Sequence, residues 1–131
     1  MNTYKYILFF LLIFNKHFSQ TTPNSKQEAL KLFEIAREDF YNLNNKASVK
    51  NAEKILIYSL NKNELTLAAK TYNLLGLNFE QFTDYNKAIL YYKKGVDCAK
   101  KANSNEVLGW LYNNLGGVYS YNGINLNAGT Y

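Results

Sequence analysis

The sequence predicts an all-α fold built from paired helices, and two patterns carry that prediction. From Ser25 onward the apolar residues recur at spacings of three and four, which is typical of amphipathic helices and not of strands. The pattern of Tyr, Leu, Gly and Phe in segment 72–79 also recurs 40 positions later, as Tyr, Leu, Gly and Tyr in segment 112–119. A fixed period in this range is typical of a solenoid of stacked helix pairs.

Composition excludes several classes of protein. The chain has 131 residues, enough for one modest domain, and its 47% hydrophobic content supports a packed core. Of its 15 basic residues only Arg37 is an arginine, and arginine makes most bidentate contacts to phosphates and bases, so we expect no nucleic-acid partner. A single cysteine, Cys98, excludes an internal disulfide, and a single histidine excludes most metal clusters. We predict no cofactor.

Residues 1–19 are predicted to form a secretory signal peptide. Lys5 supplies a basic start, and the apolar run over 6–14 is too short for a membrane-spanning helix, which needs about 18 residues or more. Cleavage between Ser19 and Gln20 would place a small residue before the cut. We therefore expect an exported protein, periplasmic or secreted. An uncleaved N-terminal anchor, which would associate the chain with the membrane, is the alternative.

After a polar lead-in over 20–25, the apolar spacing predicts helices over 26–42, 47–61, 63–81, 85–101 and 105–121. Capping-box spacings are present at three predicted starts, Ser25 with Glu28, Asn61 with Glu64, and Asn103 with Glu106. Thr83 and Asp84 are expected to cap the fourth helix. Asn122–Gly123 are expected to end the fifth, because these residues tolerate a left-handed conformation, and a sixth helix is predicted to begin at 125.

These helices group into three copies of a repeat: a degenerate copy over 26–62, the best match over 63–101, and an incomplete copy over 104–131. The second helix of the first copy matches at an offset of 36 residues, which predicts a turn four residues longer inside that copy. Because Tyr131 comes one position before the expected recurrence of Tyr92, we expect the N-terminal piece of a longer array. The fifth helix would then leave a face without a partner, comprising Leu111, Leu115, Val118 and Tyr119.

The best copy resembles a tetratricopeptide repeat. The residues that carry the resemblance are Tyr72–x2–Leu75–Gly76–x2–Phe79 followed by Tyr85–x2–Ala88–x3–Tyr92–x2–Gly95. Two positions depart from the family pattern, since Gly95 stands where Ala is usual and Lys100 where Pro often ends the second helix. The 40-residue period exceeds the family's usual period of about 34 and predicts longer loops. Over 26–131 the resemblance implies a right-handed superhelical array of antiparallel helix pairs, about two and a half repeats long.

The resemblance also implies a concave groove, lined by the first helix of each pair, that holds an extended peptide or a partner's helix. The register assigns to this groove Lys70, Asn73, Leu77, Glu80 and Gln81 from the middle copy, and Trp110, Asn113, Ser120 and Tyr121 from the last. The first copy would add Leu30, Phe33, Arg37, Phe40 and Tyr41. Asparagine amides can hold a bound backbone, and Trp110 and Tyr121 are candidate anchors. A core position for Trp110, against the fourth helix, is the alternative.

The function predicted from these observations is that of an exported scaffold or adaptor that binds a protein or peptide and has no enzymatic activity. After removal of residues 1–19 no histidine remains to activate a serine, and Cys98 is expected to be a small buried apolar residue. The alternative also rests on a resemblance. Arrays of long repeats that follow a signal peptide, in Lys- and Asn-rich bacterial chains like this one, resemble the sensor portions of membrane signalling proteins, so the chain would be the N-terminal sensor fragment of such a protein. Such a protein would continue into a histidine kinase or a helix-turn-helix regulator.

Overall fold

The structure is a computed structural model that describes residues 21–128, with side chains described through Gly123. This part of the chain forms five helices and no strand: α1 (Lys26–Tyr41), α2 (Asn45–Asn61), α3 (Leu65–Gln81), α4 (Tyr85–Lys101) and α5 (Asn105–Ala128). Each helix packs antiparallel against the next, and further contacts join α1 to α3 and α3 to α5. The predicted all-α array of helix pairs is confirmed.

The turns that join the helices are short and built alike. Each has a residue at positive φ in its centre, spaced 20 positions apart: Leu43 (61°), Asn63 (55°), Thr83 (60°) and Asn103 (52°). In each turn the next backbone N–H donates to a carbonyl five residues back, as Asn44 does to Asp39 at 2.8 Å. This is the Schellman arrangement, which satisfies the last carbonyls of a helix while the chain reverses. A helix and its turn together therefore span 20 residues.

This regular period overturns two loop predictions. The offset between α2 and α4 is 40 residues, not 36. The buried residues Ser48, Ala52 and Ser59 occupy the same positions along α2 as the buried residues Ala88, Tyr92 and Ala99 occupy along α4. The turns are not long either, since the helices α2, α3 and α4 of 17 residues absorb the extra length. A shift of four residues is about one helical turn, so it preserves which face is apolar. The apolar pattern could not distinguish the two offsets.

Two of the predicted helix starts are confirmed. At α1 the Ser25 hydroxyl accepts from the Glu28 N–H at 3.2 Å, and the Glu28 carboxylate accepts from the Asn24 N–H at 2.8 Å. At α4 the Asp84 carboxylate accepts from the Lys87 N–H at 3.1 Å. Thr83, which was also expected to cap α4, has instead the left-handed backbone of the preceding turn. Each bond satisfies a backbone donor that the first turn of a helix leaves without an intrahelical partner.

The other two capping boxes are wrong. Asn61 is the last residue of α2, and Glu64 forms an ion pair with Lys26 at 2.9 Å, so neither caps α3 in the predicted way. Asn103 has the left-handed backbone of its turn and therefore cannot supply the extended N-cap of α5. Asparagine suits both helix caps and left-handed turns, and only the position of the chain reversal decides between them.

The predicted end of α5 at Asn122–Gly123 is also wrong. Gly123 lies 20 residues after Asn103, where a left-handed residue would continue the period, but its φ is not positive and α5 continues to Ala128. The sixth helix predicted from 125 is therefore part of α5 up to Ala128, and 129–131 lie outside the described residues. Within the described residues no chain reversal follows α5 at Gly123.

The largest core cluster lies between α3, α4 and α5. The Tyr92 ring is fully buried against the backbone of Gly76, and a Cβ built on Gly76 would lie 2.2 Å from its Cε1 atom. A Cβ built on Gly95 would meet Leu111 at 2.7 Å. Both glycines are therefore required for the close approach of neighbouring helices.

The inner face of α5 belongs to this core, which corrects the predicted exposed face. Leu111, Leu115 and Val118 are buried there, and of the four residues predicted to lack a partner only Tyr119 is exposed.

A buried polar network joins the first three helices. Asn78 of α3 is fully buried and donates to the Ser48 hydroxyl and the Leu74 carbonyl, each at 2.9 Å. Ser48 in turn donates to the Ala36 carbonyl at 2.7 Å, and Asn45 donates to the Asn78 carbonyl oxygen at 3.0 Å. Because each group has a partner, the network fixes how α1, α2 and α3 are placed along one another.

Candidate binding groove

A groove with a volume of about 340 Å³ lies between α1, α3 and α5, the first helices of the three copies. Twelve residues line it: Leu30, Phe33, Glu34, Arg37, Phe40 and Tyr41 from α1, Leu67, Lys70, Asn73, Leu74 and Leu77 from α3, and Trp110 from α5. The short turns place alternate helices side by side, so a single surface is assembled from segments about 40 residues apart. This volume is within the range of small-ligand and side-chain pockets.

Four of the nine residues assigned to this surface from the middle and last copies line it: Lys70, Asn73, Leu77 and Trp110. The five residues assigned to the first copy line it as well. Trp110 is 44% exposed and lies on the groove wall, so the alternative position inside the core does not hold.

The groove walls are mainly apolar. Leu67 and Leu74 of α3 are buried and form part of the second core cluster, against which Phe33 and Phe40 pack. On α1 the Phe40 and Tyr41 rings meet edge to face with centroids 5.3 Å apart, and Tyr41 is 71% exposed. Such a surface would gain most from covering an apolar or aromatic side chain.

Two cations lie among these apolar walls. The Arg37 guanidinium forms an ion pair with Glu34, one turn earlier on α1, at 2.9 Å. The Lys70 ammonium lies 5.9 Å from the centroid of the Trp110 ring, within the range of a cation–π contact. Because the only carboxylate that lines the groove is already paired with Arg37, the charge of Lys70 gives the α3–α5 side of the groove a positive character.

Asn73 and Asn113, both assigned to the groove by register, lie in different surroundings. Asn73 is half-buried, and its carbonyl oxygen accepts from the Asn114 amide at 2.8 Å, which ties α3 to α5. Asn113 is exposed and does not line the groove.

The other assigned residues lie elsewhere. Glu80 accepts a hydrogen bond from the Tyr92 hydroxyl at 2.5 Å, at the α3–α4 contact, and Gln81 accepts from Asn45 of α2. Tyr121 packs its ring against Tyr85 with centroids 5.2 Å apart. Ser120 is exposed outside the groove.

Sequence reasoning missed Glu34, Leu67 and Leu74. They were missed because positions were carried from copy to copy by register alone. The spacing of Leu67, Lys70, Leu74 and Leu77 on α3 follows the 3.6-residue turn and places all four on one side of that helix. Following this stripe would have found the two leucines.

Groups with other chemistry are buried or dispersed. Burial raises the pKa of the Cys98 thiol, which therefore stays protonated and unreactive at neutral pH. Burial, and then the hydrogen bond to Glu80, raise the pKa of Tyr92. Within residues 21–123 no group of three or more metal-binding side chains comes together.

The arrangement defines a helical-repeat protein with a mainly apolar concave surface. No family model, no curated protein and no solved structure matches the chain. Among the described helices, none is both long and apolar enough to cross a membrane. Residues 1–19, where a signal peptide is predicted, lie outside the described residues.

Proposed function

We propose that this chain is an exported scaffold of the tetratricopeptide type, without catalytic activity, that binds an extended peptide or a helix of a partner protein. The observation that carries the proposal is the groove itself, in which three helices bring apolar and aromatic side chains around a volume of about 340 Å³. Helical-repeat arrays bind along such concave surfaces, where the ligand crosses several repeats.

The chemistry of the walls selects the ligand. Leu30, Leu77 and Trp110 offer apolar contact, and Lys70 adds a cation at the α3–α5 side. We therefore expect a segment with an aliphatic or aromatic residue close to an acidic residue. The acidic group would contact Lys70, while the apolar side chain would be covered by the walls.

Selection from a displayed peptide library tests this proposal, with the purified chain as the target. Enriched peptides should combine an apolar residue with Asp or Glu, and Leu30→Glu should weaken binding of a labelled selected peptide by about tenfold or more. Leu90→Glu is the matched control, because Leu90 is 50% exposed on α4, outside the groove, and Leu30 is 46% exposed within it. Equal losses with both variants, or no enrichment, would contradict the proposal.

Export is tested separately by fractionation of source cells with an antibody against 64–101. The proposal predicts that the protein is found in the periplasmic or secreted fraction, with Gln20 as its first residue. A much larger, membrane-associated band would instead favour the alternative, the sensor end of a membrane signalling protein.

A further inference from the structure

One side of α5 carries a regular alternation of glycine and tyrosine. Gly109, Tyr112, Gly116, Tyr119 and Gly123 follow one another at spacings of three and four, which places them on one side of the helix. We name this surface the Gly–Tyr face. Both tyrosines are 48% exposed, and a Cβ built on any of the three glycines meets no atom within 4 Å. In the described part of the chain this face has no helix packed over it.

The same positions on α3 show what covers a surface of this kind. Forty residues earlier, Tyr72, Gly76 and Phe79 occupy the register of Tyr112, Gly116 and Tyr119, and α4 packs over them. There the Tyr92 ring lies directly on Gly76. Tyr72 is consequently only 8% exposed, against 48% for Tyr112. This chain therefore already seats a tyrosine of one helix on a glycine of the next.

The composition of α5 also fits a covered helix. Its only charged residue is Glu106, whereas α1 carries seven charged residues and the central helix α3, packed on both sides, carries two. Interfaces are depleted of charge and enriched in tyrosine. The α5 helices themselves therefore bring no like charges together on the Gly–Tyr face, and one cation from α4 reaches its edge, where the Lys93 ammonium lies 5.9 Å from the centroid of the Tyr119 ring.

We propose that the Gly–Tyr face is a homodimer interface, occupied by α5 of a second copy of this chain in antiparallel orientation. A two-fold axis at the level of Asn114 sets Tyr112 opposite the Gly116 of the second copy, and Tyr119 opposite its Gly109. The two-fold symmetry repeats both contacts, so that each tyrosine meets a glycine. A parallel pair in register would set tyrosine on tyrosine and glycine on glycine. The facing tyrosines would clash, and the facing glycines would leave a gap. The alternation thus selects the antiparallel dimer, independently of any ligand in the groove.

Sedimentation equilibrium of the full chain tests the dimer. The mass should rise from that of one chain toward twice that value as concentration increases through the micromolar range. Gly116→Gln should raise the dissociation constant of the dimer by about tenfold or more, because the new side chain occupies the site of the second copy's Tyr112. Gly117→Gln is the matched control. Gly117 is equally open, but it lies on the side of Trp110, seven residues away, so we expect a change within about twofold.

The orientation is tested by disulfide cross-linking between two variants. An antiparallel dimer predicts that a mixture of Tyr112→Cys and Gly116→Cys chains forms more mixed disulfide than either variant forms with itself, since only the mixed pair lies directly opposite. The natural chain, whose single cysteine Cys98 is buried, gives the background level of cross-linking. A chain that stays monomeric, as it would if a helix of another protein were the occupant, overturns the proposal. Equal weakening by Gln at 116 and 117 overturns it as well, because self-association would then use a different surface.

Discussion

Replacement of Gly76 by alanine tests whether the contact between α3 and α4 depends on the missing side chain. The new Cβ would lie 2.2, 2.5 and 2.6 Å from three carbons of the Tyr92 ring, where carbon atoms normally stay about 3.5 Å apart or more. Tyr92 is fully buried and its hydroxyl is bonded to Glu80, so the ring cannot move aside without losing that bond. Helices α3 and α4 must therefore separate, or the ring must leave its site.

The magnitude follows from three opposing contributions. Overpacking of this kind costs about 1–3 kcal/mol, and loss of a hydrogen bond to a carboxylate costs about 1.5–3 kcal/mol if the ring is displaced. Alanine favours the helix over glycine by about 1 kcal/mol. We expect Gly76→Ala to lower the free energy of unfolding by about 2 kcal/mol. Gly116→Ala, at the same place in the next copy, should raise it by about 0.5–1 kcal/mol, because its Cβ meets no atom within 4 Å.

Urea unfolding followed by the fluorescence of the single tryptophan, Trp110, measures both changes, at concentrations where the chain is monomeric. Combining Gly76→Ala with Tyr92→Leu should recover part of the loss, since the smaller side chain removes the clash. If Gly76→Ala is as stable as the natural chain, or if both alanines shift stability in the same direction, the packing argument is refuted.

Three further predictions concern the turns, the polar network and the buried Tyr92. Thr83→Asn should raise the free energy of unfolding by about 0.5–1 kcal/mol, because a β-branched residue is strained at φ 60°. Asn63→Thr should have the opposite effect in the preceding turn. Urea midpoints that shift in the same direction in both variants would contradict this. Asn78→Ala should cost about 2–4 kcal/mol by leaving buried groups without partners, whereas exposed Asn113→Ala should change stability by less than about 0.5 kcal/mol in the same assay. The raised pKa of Tyr92 means that above pH 10.0 only the unfolded chain releases its proton, so stability should fall as the pH rises further. Tyr92→Phe should make that fall less steep, and urea midpoints from pH 8 to 11 that decline equally in both chains would count against it.

Part of the groove could be predicted because the repeat carries positional information. Once Tyr72 to Phe79 were aligned with Tyr112 to Tyr119, the first helix of each copy was placed on a common side, and Lys70, Leu77 and Trp110 followed. Glu80 and Gln81 were misplaced because the register says which positions are equivalent and not which partner each meets. Glu80 accepts a hydrogen bond from the Tyr92 hydroxyl, and that contact depends on the angle between α3 and α4.

The sequence by itself determined the helical class and the 40-residue period, because apolar spacing and recurring glycine and aromatic positions are local properties of the chain. It also indicated that position 76 needs a small residue, for the close approach of paired helices. Only the tertiary structure decided where each chain reversal falls and which polar residues are buried. Left-handed Leu43 and Thr83 are poor turn residues by propensity, and Asn78 would be exposed by composition alone. Their conformations are held by the packing of whole helices, which outweighs the local preference of any one residue.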